Sequence, residues 1–340
     1  MRQGNPEVTP KTSRSLLMNI SEEKLIAGVL GGDIRSLAKS ITLLETSKVD
    51  QRQAADRVLA ALLPHSGRSL RIAISGPPGV GKSTFIEAFG SYLIKDGHRL
   101  AVLAIDPSSP VSGGSIMGDR LRMEALARSP NVYIRPSPSS GVLGGTARRT
   151  RETIIACEAA GFDFICIETV GVGQSETVAA NMADLFILLS LPNSGDEVQG
   201  IKRGILELAD FVVVTKADGP AKQSAELAKN QIEQALMLTR SSSRFPPKVS
   251  TVSSLEGTGI KDLVSSILDA AEDRRSSNYF QLRRRDQALE WFHAEFVAIL
   301  VADAEKKLKD RSGAMAAAVA DGKIPPSIAA AQLASTLISK

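Results

Sequence analysis

Gly76-Pro77-Pro78-Gly79-Val80-Gly81-Lys82-Ser83 reproduces the G-x-x-x-x-G-K-[ST] spacing of a phosphate-binding loop. Glycines let a backbone curl until several N–H groups point inward at phosphate oxygens, and a helix N-terminus adds partial positive charge. Lys82 would reach the β- and γ-phosphates, and the Ser83 hydroxyl would ligate Mg²⁺. The context supports the motif: Leu70 to Ser75 is a strand-like apolar run, and Thr84 onward begins a helical pattern. The chain is therefore expected to bind a nucleoside triphosphate.

Two further segments bear on the base. Thr215-Lys216-Ala217-Asp218 follows the apolar run Phe211 to Val214. A carboxylate at Asp218 can accept from guanine N1–H and from its exocyclic amine. Adenine lacks that amine and offers an acceptor at N1, so Asp218 would face an unpaired polar group. The Lys216 stem can lie along the base plane. Ser253-Ser254-Leu255 follows another strand-like run and could offer a backbone N–H to guanine O6.

Two acidic strand ends, Asp106 and Glu168, complete the set. Ligands of open parallel sheets sit off the carboxyl ends of the strands, where carboxylates can hold Mg²⁺ or its waters and orient an attacking water. The loops Gly171-Val172-Gly173-Gln174 and Gly118-Asp119-Arg120 are placed to order on a triphosphate and relax after hydrolysis. Arg120, Arg148 and Arg149 are candidates for an arginine finger.

These residues need a scaffold with all strand ends on one side. Strand-like runs at 70–75, 100–105, 131–135, 163–168, 184–190, 210–215 and 247–252 alternate with helical patterns at 82–95, 146–160 and 220–238. Most are continuous Val/Ile/Leu stretches, as expected of parallel strands covered on both faces. The expected architecture is α/β, a doubly wound, mostly parallel sheet over 68–272. Residues 1–19 read as an irregular tail and 20–67 as a helical extension, with Asp33 as N-cap and Ile34, Leu37, Ile41 and Leu44 on one face. Beyond a charged linker at Asp273-Arg274-Arg275, residues 273–340 read as helical only. There Leu289, Phe292, Phe296 and Ile299 form an apolar stripe suited to self-association, and from Gly313 the chain turns alanine-rich, with Pro325-Pro326 dividing two short helices.

Composition narrows the field. Of 340 residues 43% are hydrophobic, enough for a sizeable core, while aromatics are only 4%, which argues against stacking platforms for single-stranded nucleic acid. The formal charge of +4 comes from interleaved signs, so no nucleic-acid partner is expected. Two cysteines without C-x-x-C spacing and three scattered histidines suggest neither a disulfide framework nor a metal cluster. No apolar run is long enough for a membrane span or a secretory signal, and a cytoplasmic location is expected.

The strings Asp106-Pro107-Ser108-Ser109, Gly118-Asp119-Arg120-Leu121-Arg122-Met123, Glu168 through Glu176 and Pro192-Asn193-Ser194-Gly195-Asp196-Glu197 occur in order. They resemble the ArgK/MeaB family, G-protein metallochaperones of adenosylcobalamin-dependent acyl-CoA mutases. The resemblance runs from about residue 20 through the C-terminal helices. It implies a SIMIBI-like P-loop GTPase fold, a homodimer, and a slow GTPase that gates cofactor loading, protection and reactivation of a mutase. It also implies Ser83, Asp106 and Glu168 around Mg²⁺, Asp119 and Glu168 in hydrolysis or switching with Lys82 on the phosphates, and 192–203 as a segment that answers the mutase. Adenosylcobalamin would reside on the mutase or on an adenosyltransferase, since the chain carries no D-x-H-x-x-G string. The alternative is a kinase of a transport-related protein. Nickel-inserting and secretory-targeting GTPases would need His- or Met-rich elements that are missing here. One departure stands out: the family usually has Asn where this chain has Thr215, and guanine preference is expected to survive through Asp218 with weaker affinity.

Overall fold

A computed structural model describes residues 21–46, 48–105, 123–135, 143–169, 175–192, 203–239 and 245–338. Its centre is a sheet of β1 (Leu70–Ser75), β2 (Leu100–Ile105), β3 (Val132–Arg135), β4 (Phe164–Thr169), β5 (Leu185–Ser190), β6 (Phe211–Val214) and β7 (Lys248–Thr251). The strand order is β3-β2-β4-β1-β5-β6-β7, and every neighbouring pair is parallel. The direction of winding reverses around β1, which pairs β4 on one side and β5 on the other. All carboxyl ends therefore lie on one edge of the sheet, and the loop after β1 sits at the switch point.

The apolar runs explain the sheet. β2, β4 and β5 are buried at every residue because helices cover both faces. β7 closes one edge and stays half-exposed, consistent with its polar Lys-Val-Ser-Thr sequence. The strands at 131, 163, 184, 210 and 247 each begin one residue later than their apolar pattern suggests. Those first residues serve the turns instead: Asp163 and Asp184, for instance, accept from the backbone N–H of Arg99 and Arg71 at 2.7 and 2.8 Å.

The helices of this layer are α4 (Lys82–Lys95), α5 (Glu124–Ala127), α6 (Leu143–Ala159), α7 (Ser175–Ala180), α8 (Arg203–Leu208), α9 (Lys222–Thr239) and α10 (Ile260–Ser276). Ahead of the sheet lie α1 (Glu22–Leu30), α2 (Ile34–Leu44) and α3 (Val49–Leu62). Asp33 caps α2, its carboxylate accepting from Ser36 N–H at 2.9 Å, and Leu37, Ile41 and Leu44 are buried. Both α2 and α3 pack on α6. Arg52 of α3 donates to the buried Glu152 of α6 at 2.6 Å, and Arg148 reaches the same carboxylate at 3.1 Å. Inside this layer Arg71 grips Glu158 through two bonds of 3.0 and 2.9 Å.

Two compact units result, Met1–Asp273 and Arg274–Lys340. Asp273, Arg274 and Arg275 lie inside the last turns of α10, so the expected charged linker is helical. Arginines in a last turn suit the negative end of the helix dipole. The break comes at Asn278, which takes a left-handed φ of 59° before α11 (Tyr279–Ala320). That helix runs 42 residues, straight through Gly313, where a short helix was expected. α12 (Pro326–Ile338) packs back on it after a turn in which Lys323 N–H bonds to Ala318 O at 2.9 Å.

Candidate nucleotide site

The loop from Gly76 to Ser83 leaves β1 and enters α4. Gly81 holds a left-handed φ of 93° at the N-cap of α4, a conformation that favours glycine. The first helical bond is Phe85 N–H to Gly81 O at 2.8 Å. The N–H groups of Lys82, Ser83 and Thr84 therefore precede the ladder, as an anion site requires. Gly76 is needed for closeness: a Cβ there would meet Leu189 O of β5 at 2.7 Å. Pro77 and Pro78 carry the chain outward, and Val80 turns back into the core, fully buried.

Lys82 Nζ donates to Gly76 O at 2.8 Å and Pro77 O at 3.3 Å, folding the ammonium back over its own loop. Burial lowers its pKa, while the nearby carboxylates of Glu168 and Glu176 act in the opposite direction. Glu168 is on β4, opposite Ile74 of β1, and is buried. The same edge is tied by Thr169 Oγ1 to Ser75 Oγ at 2.9 Å. Lys82, Ser83 and Glu168 thus gather at the ends of adjacent strands. Glu176, buried at the start of α7, joins them, and only its place in a longer string marked it in the sequence.

The base segments converge from β6 and β7, whose ends pair at Val214 and Thr251. Ser253 Oγ, wholly buried, donates to Asp218 Oδ2 at 2.8 Å and accepts from Glu256 N–H at 3.1 Å. Ala217 N–H bonds to Val252 O at 3.1 Å, and Lys216 adopts a left-handed φ of 55°. Thr215 Oγ1 donates to Val80 O at 2.8 Å and Lys216 Nζ to Gly79 O at 2.8 Å. Two carbonyls of the phosphate loop are thereby joined to the Asp218 segment. Ser254 is half-buried and Leu255 is 80% exposed.

Asp106, Asp119, Arg120, the loop 170–174 and most of 192–203 lie outside the described residues. Arg148 is paired with Glu152. Both cysteines are buried free thiols, and burial pushes Cys166 up to about 12, away from reactivity. The Ser83 hydroxyl and Glu168 carboxylate are hard oxygen donors of the kind Mg²⁺ takes beside phosphate and water.

A phosphate loop at the switch point of a parallel sheet, clamped to a carboxylate segment that suits guanine, defines a P-loop GTPase. Residues 37–309 match the model of the family described as methylmalonyl Co-A mutase-associated GTPase MeaB, and the chain belongs to that family. It is 52% identical over 268 residues to a probable GTPase of Mycobacterium bovis, covering 78% of this chain and 80% of that protein. It is 44% identical to the GTPase ArgK of Escherichia coli over 78% and 80% of the two chains. A crystal structure of a LAO/AO transport system kinase superposes with a TM-score of 0.74 at 34% identity, covering 94% and 98%. The chain is a GTPase. Among the described residues no helix is long and apolar enough to cross a membrane.

Proposed function

We propose that the chain is a GTP-driven switch that serves an adenosylcobalamin-dependent acyl-CoA mutase, gating loading of the cofactor and its protection and replacement. The observation that carries this reading is the family match across 37–309, a family named for its association with methylmalonyl-CoA mutase. In this reading Gly76 to Thr84 hold the phosphates, with Lys82 leaving its carbonyl partners for the β- and γ-oxygens. Asp218, set by Ser253, accepts from the guanine edge, and Ser254 and Leu255 offer backbone to O6. Ser83, Asp106 and Glu168 would hold Mg²⁺, which neutralises phosphate charge when bound. Asp119 and Glu168 serve hydrolysis and switching, and 192–203 transmits the state to the mutase.

A homodimer through α11 completes the proposal. Leu289, Phe292, Phe296 and Ile299 are all at least half exposed and recur every three or four residues along one helix face. Phe292 and Phe296 stack on each other with centroids 6.2 Å apart. Such a stripe is what a second copy would cover. The cobalamin itself stays on the mutase or an adenosyltransferase, in the cytoplasm.

The test is cofactor loading of a purified acyl-CoA mutase in the presence of this chain with GTP, GDP or a non-hydrolysable analogue. Nucleotide-dependent loading supports the proposal, and equal loading in all three overturns it. The solved relative named as a transport system kinase makes one control worthwhile. γ-Labelled GTP should release free phosphate, and a labelled partner protein would favour a kinase instead.

A further inference from the structure

Away from its sugar edge, guanine offers a protein two donors, N1–H and the exocyclic amine, and two acceptors, O6 and N7. The Asp218 carboxylate can take only the donors. Any contact to N7 must come from a donor, and the side-chain donors of the neighbouring segment can be followed one by one. The Thr215 hydroxyl carries a single proton, shared between Val80 O at 2.8 Å and Ser190 O at 3.2 Å. It is 2% exposed, sealed between β5, β6 and the phosphate loop. Thr215 N–H goes to Ser190 O at 2.9 Å and Ala217 N–H to Val252 O at 3.1 Å. The Lys216 ammonium is on Gly79 O at 2.8 Å. Across the site Ser253 Oγ–H is on Asp218, and Ser253 N–H is on Thr258 O at 3.0 Å.

We infer that Thr215 is a positioning residue, a bolt between base segment and phosphate loop, and that guanine is read along its N1/amine edge with N7 left to water. This rests on the base lying against Asp218, as proposed above. A water at N7 is replaceable at little cost, whereas a direct buried bond to N7 would leave an unsatisfied donor once the acceptor is removed. The chain should therefore accept 7-deaza-GTP, in which a C–H replaces N7, as readily as GTP. Thr215 governs affinity through the two carbonyls it holds, and it does so equally for both nucleotides.

The experiment is calorimetric binding of GTP, 7-deaza-GTP and xanthosine triphosphate to the full chain and three variants. In the unaltered protein, 7-deaza-GTP and GTP should bind within twofold of each other. Thr215→Val, nearly the same shape, should weaken both about tenfold without separating them. Thr215→Ser, which keeps the hydroxyl, should recover most of that loss. A fivefold or larger disadvantage for 7-deaza-GTP in the unaltered protein overturns the inference, and that measurement needs no variant to fold. A Thr215→Val loss confined to GTP overturns it too. Asp218→Asn separates this from the underlying placement: it should shift preference from GTP to xanthosine triphosphate. If it does not, the base is not against Asp218, and the placement falls whatever the 7-deaza result.

Discussion

Replacing Ser253 with alanine isolates one bond of the base site. The Ser253 hydroxyl is fully buried and donates to Asp218 Oδ2 at 2.8 Å. In the proposed site this bond sets the direction of the carboxylate, whose remaining lone pairs would accept from two parallel donors of guanine. A hydrogen bond to a charged group contributes about 1.5–3 kcal/mol. Asp218 is only half-buried, so water replaces part of that loss, and the low end applies. At 1.4 kcal/mol per factor of ten, GTP should bind roughly tenfold more weakly. The Glu256 N–H loses its acceptor as well, but Glu256 is exposed and water can take its place, so the fold should lose only about 1 kcal/mol. Titration of GTP and inosine triphosphate, which lacks the exocyclic amine, reads the effect. The GTP advantage over inosine triphosphate should shrink in Ser253→Ala, because a carboxylate free to rotate no longer holds both donors. An unchanged ratio would refute the claim that Ser253 sets Asp218.

Three further outcomes are expected. Gly76→Ala would set a Cβ 2.7 Å from Leu189 O, where strand backbone cannot yield. A loss of about 2 kcal/mol and a melting temperature lower by roughly 5 °C should accompany weakened GTP binding, measured by differential scanning fluorimetry and titration. Arg52→Ala leaves the buried Glu152 still bonded to the Arg148 guanidinium. Chemical denaturation should register a loss of about 2 kcal/mol, less than a fully stranded charge because one partner stays. Glu158 gives a pH signature. Burial alone would raise its pKa, but Arg71, Ser69 and the Gly67 N–H together outweigh burial and hold it below 4.5. A depressed carboxylate stabilises the fold above its unfolded value and loses that contribution as pH falls through the folded one. The melting temperature of Glu158→Gln should be lower at pH 7, begin to approach that of the unaltered chain below pH 4.5, and meet it only once pH has fallen past the depressed folded value; parallel curves would contradict the assignment.

Much of the site was legible because its chemistry is local. The phosphate loop depends on glycines and a lysine at fixed offsets, and α4 begins at Lys82 as the pattern requires. The strands were found within a residue because buried parallel strands are continuous apolar runs. Asp33 was legible as a cap for the same reason, since a cap answers to the next three residues. Expectations failed where sequence offers only composition. Asp273-Arg274-Arg275 reads as a solvated linker, yet arginines have good helix propensity and extend a helix as readily as they end it. Gly313 does not interrupt α11, because one glycine costs a long helix only about 1 kcal/mol.

From the residue string alone came the class of ligand and the parallel sheet, since each follows from short-range spacing and from which side chains must leave water. The tertiary structure alone determined that Thr215 and Lys216 hold the carbonyls of Val80 and Gly79, more than 130 positions away in the chain. It also placed Glu176 near Lys82 and aligned Ser253 on Asp218. No local pattern encodes such contacts. They exist because parallel pairing brings distant strand ends to one edge, where buried polar groups must find partners among whatever the topology sets beside them.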